Sequence, residues 1–347
     1  MPQITAQELA AVANTTLDFF VRNEIFRQTI QDKPLLQKML AQKKPFAGAK
    51  EYISIAIEGT YPLQWQGFTG DDTVTYGNPT DILRAVAPWR ELHGGFKFTA
   101  TELKANGILV QGTTGENVKS NRGAEAIQLH DLFDMKLKQF DESMARSLNT
   151  MLWRDGTQDA KEIPGILSFV VDNPTASQIV QGINQSTVAY WRNRASLSIA
   201  LGSDPSALPL ILTMKKEIRQ LKRYGGKPNL YLAGSDFLDR LELEMRSKGT
   251  FTQVGWSKSG GIEVGADDPM LAGVQFTYDP TLDDLGYGKR CYVLDTSKIH
   301  FRPLQGDDMR PHYPERSPDK YVYYRAVTMT AALLTSQRNC HGVYAFP

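Results

Sequence analysis

One long apolar stripe constrains this chain more than any other feature. From Ala126 onward, Leu129, Phe133, Leu137, Phe140, Met144, Leu148 and Met151 recur every three or four positions. That spacing gathers side chains on one face of an α-helix. Asp134 with Lys138 and Glu142 with Arg146 add acid-before-base pairs one turn apart. Between Val118 and Arg154 neither proline nor glycine occurs except Gly123, and Asp155-Gly156 supplies the stop. The pattern predicts a helix about 50 Å long at ~1.5 Å per residue, where ordinary helices run about 11–12 residues. A coiled coil is the competing reading. Gln128 interrupts the stripe, the span is short for one, and the flanking strand patterns do not favour it.

The segments before the helix read as projections. Residues 1–47 look like an arm, with a helical rhythm over Ala6–Phe20, a break at Asp32-Lys33-Pro34 and a short helix over Leu35–Leu40. Glu51–Ile57 alternates, with Ile53, Ile55 and Ile57 on one side, and predicts a strand. His93–Thr99 is the expected return strand. Between them, Gly59–Thr80 is punctuated by glycine and proline yet carries Tyr61, Trp65, Phe68 and Tyr76. A loop of that length inside a compact domain is unusual, and so many large aromatics fit an extended hairpin buried against another chain.

After the helix, residues 163–300 read as a mixed α/β unit. Ile166–Val171 is a candidate buried strand, and Pro205 is expected to open a helix ended by Gly225-Gly226. Strands are expected at Asn229–Ala233, Gly261–Val264, Val274–Tyr278 and Cys291–Leu294, with a helix over Asp236–Arg246 capped by Ser235. Tyr321–Thr330 alternates as a long strand, with Val343–Phe346 as its short partner. The fold class is α+β.

The search for chemistry is mostly negative. There is no phosphate-loop signature, no Gly-x-Ser-x-Gly elbow, and no His-Glu-x-x-His or paired Cys-x-x-Cys. His93, His130, His300, His312 and His341 are scattered, and Asp267-Asp268, Asp283-Asp284 and Asp307-Asp308 read as solvated turns. Cys291 reads as a packed thiol. The basic cluster Lys215, Lys216, Arg219, Lys222 and Arg223 follows helical spacing and reads as a solvated helix face. These negatives argue for a non-enzyme with no cofactor and no metal.

Composition adds bounds. In 347 residues, 39 Lys+Arg against 38 Asp+Glu give a formal charge of +1, which disfavours a dedicated nucleic-acid binder. Two cysteines, Cys291 and Cys340, suit a reduced intracellular chain. The longest apolar runs fall far short of the ~20 residues that span a bilayer, and Met1-Pro-Gln-Ile-Thr-Ala-Gln-Glu carries no signal-peptide pattern. The expectation is a soluble chain with no membrane partner.

The order arm, extended hairpin, long helix, α/β unit and terminal strand resembles the Hong Kong 97-type major capsid proteins of tailed bacteriophages. The resemblance is sharpest at Gly182-Ile-Asn-Gln-Ser-Thr-Val-Ala-Tyr-Trp-Arg-Asn193, where Gly182, Ser186, Thr187, Trp191, Arg192 and Asn193 match one large group of these proteins. Asn184-Gln185 and Tyr190 depart from it, where that group often has Asp-Arg and a second Trp. Gly226–Arg246 and Asn339-Cys-His-Gly-Val-Tyr344 are also similar.

The resemblance implies an N-arm (1–47), an E-loop with flanking strands (48–99), and a peripheral (P) domain with spine helix (100–165). It implies a mainly axial (A) domain over 166–300 and C-terminal P-domain strands over 301–347. It also implies a structural subunit of an icosahedral shell, found in the virion and assembled in the host cytoplasm around double-stranded DNA. Tyr61, Trp65, Phe68 and Tyr76 would contact a neighbouring subunit, and Leu129, Phe133, Leu137, Phe140, Met144 and Leu148 would pack the spine. Its expected partners are copies of itself as hexamers and pentamers, a separate scaffolding protein, a portal protein, a possible decoration protein, and packaged DNA by non-specific proximity. Some relatives weld subunits through an E-loop lysine, but no lysine lies between Glu51 and Phe96, so no such cross-link is expected. The alternatives are an encapsulin-type nanocompartment shell, which shares the fold, and an intracellular α/β hydrolase using Asp267, Asp268 and a histidine.

Overall fold

The apolar stripe forms one continuous helix. In the computed structural model it spans Arg122–Trp153, 32 residues, or ~48 Å at the standard rise. The structure describes residues 31–48, 51–61, 65–76, 82–99, 101, 122–202, 204–247, 269–312 and 322–347. The expected helix over Ala6–Phe20, the strand over Gly261–Val264 and the Asp267-Asp268 pair lie outside these residues. Five helices are described: α1 (Pro34–Ala41), α2 (Arg122–Trp153), α3 (Pro209–Leu221), α4 (Ser235–Ser247) and α5 (Pro280–Asp284). The strands are β1 (Tyr52–Ile57), β2 (Leu83–Pro88), β3 (Arg90–Thr99), β4 (Ile179–Val180), β5 (Ile183–Asn184), β6 (Arg194–Ser196) and β7 (Leu230–Ala233). They continue with β8 (Met270–Leu271), β9 (Val274–Tyr278), β10 (Arg290–Leu294), β11 (Ile299–Pro303), β12 (Arg310–His312), β13 (Val322–Thr335) and β14 (Gly342–Ala345).

The chain divides into two compact units. In the first, drawn from residues 92–147 and 306–329, β3 and β12 pair with the first part of β13. Phe96 of β3 meets Phe140 of α2 at 5.3 Å between ring centroids, and a Cβ at Gly94 would lie 3.1 Å from that same Phe140 ring. The glycine lets strand and helix approach closely.

The second unit holds residues 32–91, 148–305 and 330–347. Its centre is a six-stranded sheet in the order β6-β14-β10-β7-β9-β8. Helices α3 and α4 share its core through Leu210, Met214, Ile218, Leu221, Phe237 and Leu241, packed with Tyr231, Phe276 and Tyr344. Glu244, fully buried, accepts from Leu210 N and Ile211 N at 3.1 Å each, so a carboxylate on α4 closes the start of α3. The last turn of α2 is buried here, where Asn149 accepts from Leu36 N and donates to Thr281, and Trp153 Nε1 donates to Asp279 at 2.8 Å. Helix α1 therefore does not stand free: Leu35, Leu36 and Met39 are buried, and Phe46 bridges to Leu304 beside β11.

Four expectations change. The return partner of β1 is β2, in the register Ile57 to Leu83 and Ile53 to Ala87, while His93–Thr99 belongs to β3. Ile166–Val171 is buried but forms a 3-10 turn at Ile166–Ser168, because Gly165 is wedged against the backbone carbonyls of Met151 and Leu152. The helix expected from Pro205 starts at Pro209, since Leu208 takes a left-handed φ of 52° and interrupts it. β14 pairs antiparallel with β10 and parallel with β6, not with β13.

Candidate assembly surface and its anchor

Isoleucines 53, 55 and 57 face the same side as Ala87, Ala85 and Leu83 across the β1–β2 ladder, so one face of this two-stranded ribbon is apolar. Beyond Ile57 the chain leaves the ladder as the long loop. Its two limbs are tied where Thr75 N and Oγ1 both donate to Gln66 Oε1 at 3.1 Å. The tip turns between Thr69 and Asp72, with Asp72 N donating to Thr69 O and Thr69 N donating to Asp72 Oδ2, both at 2.8 Å. Among the described residues nothing covers the aromatic side chains: Tyr61, Trp65, Phe68 and Tyr76 are 78%, 106%, 70% and 92% exposed. An aromatic side chain buries about 150–250 Å² when covered, so a partner that covered these four would bury several hundred Å².

A two-stranded ribbon is marginal by itself, and here its root is gripped. Ile57 and Ala85 join Ile183 and Trp191 in one buried cluster, flanked by Ile55, Leu83, Val188 and Tyr190. Val86 N donates to Gln181 O at 2.8 Å. Gly182, at φ +82°, turns the β4–β5 hairpin against Val86, and any side chain on Gly59 would run into the Tyr190 ring. The segment Gly182–Asn193 is therefore the clamp that holds the ribbon.

The clamp is itself built of hydrogen bonds. Asn184 Oδ1 accepts from the backbone N and the hydroxyl of Ser186, at 3.0 and 2.9 Å, and Thr187 Oγ1 donates to Asn184 O. Arg192 ties the turn through Gln185 O at 2.7 Å and Ser186 O at 2.6 Å. Trp191 Nε1 donates to Val180 O at 3.1 Å. Asn193 pairs both backbone groups of Val171, accepting from its N–H and donating to its C=O at 2.8 Å.

Behind the clamp lies Arg338, a guanidinium with no solvent exposure. It donates to Phe169 O (2.7 Å), Trp191 O (2.8 Å), Gln185 Oε1 (3.1 Å) and Asn193 Oδ1 (2.9 Å). Among the described residues no carboxylate forms an ion pair with it. Burial pulls its pKa down to about 9, so it stays charged at neutral pH, solvated by carbonyl and amide oxygens. Next to it, His341 is fully buried. Its Nδ1 accepts from Asp295 N and its Nε2 donates to Thr335 Oγ1, while burial drives its pKa down to about 3.

Leu129 and Phe133 lie on α2, but their side chains are outside the described set. Leu137 is 36% exposed, Phe140 packs on Phe96, Met144 is half-buried and Leu148 is buried. Lys215, Lys216, Arg219, Lys222 and Arg223 are all exposed along α3 and the turn that follows it. Asp283 accepts from Ser235 N and the Tyr278 hydroxyl, and Asp307 accepts from Thr328, so both carboxylates serve structure. Cys291 and Cys340 are buried thiols whose pKa values burial raises. Among the described residues no group of three or more His, Cys, Asp or Glu side chains could hold a metal ion, and no helix is long and apolar enough to cross a membrane.

The sequence matches no family model and no curated protein. Solved structures match over nearly the whole chain. A chain of the cyanophage A-1(L) capsid asymmetric unit aligns with a TM-score of 0.63 at 13% identity, covering 93% of this chain and 94% of that one. A capsid chain of the empty GTA particle gives 0.58 at 12% identity, with 93% of each covered. The capsid of Myoviridae phage XM1 gives 0.55 at 12% identity, covering 94% and 95%. At such identities the likeness is one of fold, and that fold is the Hong Kong 97-like fold of phage capsid proteins.

Proposed function

We propose that this chain is a major capsid protein, a structural subunit that self-assembles into the icosahedral shell enclosing phage double-stranded DNA, and that it is not an enzyme. The observation that carries this is the pairing of a capsid fold over more than nine-tenths of the chain with a loop whose aromatics stand exposed among the described residues. A surface of that kind is expensive to leave in water and becomes useful when a second copy covers it. In this reading residues 1–47 are the N-arm, 48–99 the E-loop with its strands, and 100–165 the P domain with its spine helix. Residues 166–300 are mainly the A domain, and 301–347 return to the P domain.

The copies form hexamers and pentamers in the virion shell, assembled in the host cytoplasm with a separate scaffolding protein, a portal and possible decoration proteins. Packaged DNA lies against a chain of near-zero net charge. Neither the nanocompartment nor the hydrolase reading has a specific observation in its favour.

Negative-stain microscopy of the purified protein, with scaffolding protein if required, tests the proposal. Wild type is expected to give large uniform shells. The double variant Trp65→Ser, Tyr76→Ser is expected to unfold as wild type does, because both side chains are exposed, yet to give no shells. Compact particles from wild type under all assembly conditions, or shells from the double variant at wild-type yield, would overturn it.

A further inference from the structure

The loop has a second property besides its aromatics. From Glu51 to Leu83 it carries five carboxylates, Glu51, Glu58, Asp71, Asp72 and Asp81, and no lysine or arginine. Beside the root of the same ribbon lies an open cavity of about 580 Å³. Its wall includes Arg192, Arg194 and Arg223, the rings of Tyr190 and Tyr224, and Asn339. Arg194 is neutralised by Glu217, with Nε to Oε2 at 2.9 Å and Nη2 to Oε1 at 3.0 Å. Arg192 spends Nε and Nη2 on the clamp carbonyls. Among the described residues Arg223 faces the Tyr224 ring, at 5.3 Å, and no carboxylate. Among the described residues two positive charges, Arg192 and Arg223, thus have no carboxylate partner on a wall of tyrosine rings, next to the exposed basic face of α3.

We infer that this cavity receives the loop tip of a second copy, Phe68 to Asp72, with the Asp71 carboxylate meeting Arg223. The inference rests on the shell reading above and names the receptor that the loop would grip. Charge complementarity selects the occupant: an all-acid, aromatic segment against a cationic, tyrosine-lined recess, the setting in which guanidinium groups both stack and pair. The chain's own loop does not fill the recess, since Trp65 and Tyr76 are almost wholly solvated in the single copy. A tip from one copy entering beside the root of the next is a heterologous contact, the type that repeats around a ring until it closes.

The test places Asp71→Cys and Arg223→Cys in separate chains, both natural cysteines being buried. Co-assembled shells treated with a short bismaleimide are expected to give cross-linked heterodimers on a denaturing gel, and neither chain alone gives dimers. In a second arm, Arg223→Glu is expected to raise the protein concentration needed for assembly about tenfold, and adding Asp71→Arg to the same chain restores it. Normal shells without the heterodimer, with Arg223→Glu assembling at the wild-type concentration, would overturn this docking and leave the shell reading standing. So would a cross-link from position 223 to a different, co-purifying protein. Wild-type protein that forms no shells would instead overturn the shell reading itself.

Discussion

Replacing Asn193 by leucine tests whether the buried polar network holds the clamp. The side chain is 2% exposed, and leucine keeps its branched shape, with bulkier end groups, while removing every hydrogen bond. Two backbone groups, Val171 N–H and Val171 C=O, lose the partner that pairs them, and an unpaired buried backbone group costs about 1–3 kcal/mol. Arg338 loses the amide oxygen 2.9 Å from its Nη2, a bond to a charged donor worth about 1.5–3 kcal/mol. Burying leucine in its place returns about 1–2 kcal/mol. These terms sum to a net loss of about 2–8 kcal/mol, and about 3–4 kcal/mol is the conservative expectation once the larger side chain and local relaxation are allowed for, large for a single substitution.

For a unit of this size each kcal/mol moves a thermal midpoint by about 2–4 °C, so a fall of roughly 10 °C is expected. Urea titration of the unassembled subunit measures the free energy directly, with an unchanged slope showing that the same surface is exposed on unfolding. A loss under 1 kcal/mol would refute the reasoning, because it would mean that water or rearranged backbone satisfies Val171 and Arg338 at little cost.

Glu244→Ala strips the buried carboxylate from Leu210 N and Ile211 N, and urea denaturation is expected to show a loss of about 3 kcal/mol or more; a change within error would mean that α3 closes its own end. His341 is held neutral by burial at a pKa of about 3, below its ordinary 6.5, so between those values the unfolded chain binds a proton that the folded chain does not. Its contribution is therefore complete above pH 6.5 and falls by about 1.4 kcal/mol per unit as pH drops towards 3, with half-buried His300 pulling the same way. Denaturation midpoints measured from pH 7 to 4.5 are expected to decline, and His341→Gln to flatten the decline. Assembled particles boiled in denaturant are expected to run as monomers, since the stretch from Glu51 to Phe96 offers no lysine for an isopeptide; a ladder above monomer would contradict this.

Elements whose signal is local were legible in the sequence. The α2 stripe, the alternation of β1 and β13 and the proline-started α1 each carry their period or breaker within a dozen residues. Partners were not legible, because pairing is decided at a distance. β14 has four residues and no register signal of its own, and β3 alternates as well as β2 does, so alternation alone does not single out Leu83–Pro88 as the partner of β1. The Ile166 turn is set by a glycine pressed on carbonyls that belong to α2. Resemblance pointed at Gly182–Asn193 but gave no reason for it. Arg338 was missed entirely: flanked by Gln337 and Asn339 it looks like a solvated turn, and its four acceptors lie 145 to 169 positions away.

Why the clamp is polar follows from leverage. The apolar cluster at the ribbon root has four buried members, enough to hold the ribbon down but not to fix its direction, because apolar contacts are nondirectional. From Gly59 to Gly70 the loop spans up to ~35–40 Å if extended. A tilt of about 10° at the root would then move the tip by about 6 Å, more than the spacing between a guanidinium and its carboxylate partner. Hydrogen bonds have preferred distances and angles, and a buried arginine with four fixed acceptors cannot tilt without breaking one. Its desolvation opposes stability, as the lowered pKa shows. On the shell reading, what the chain gains is a loop aimed before its neighbour arrives, and preorganisation of that kind reduces the ordering cost of each contact.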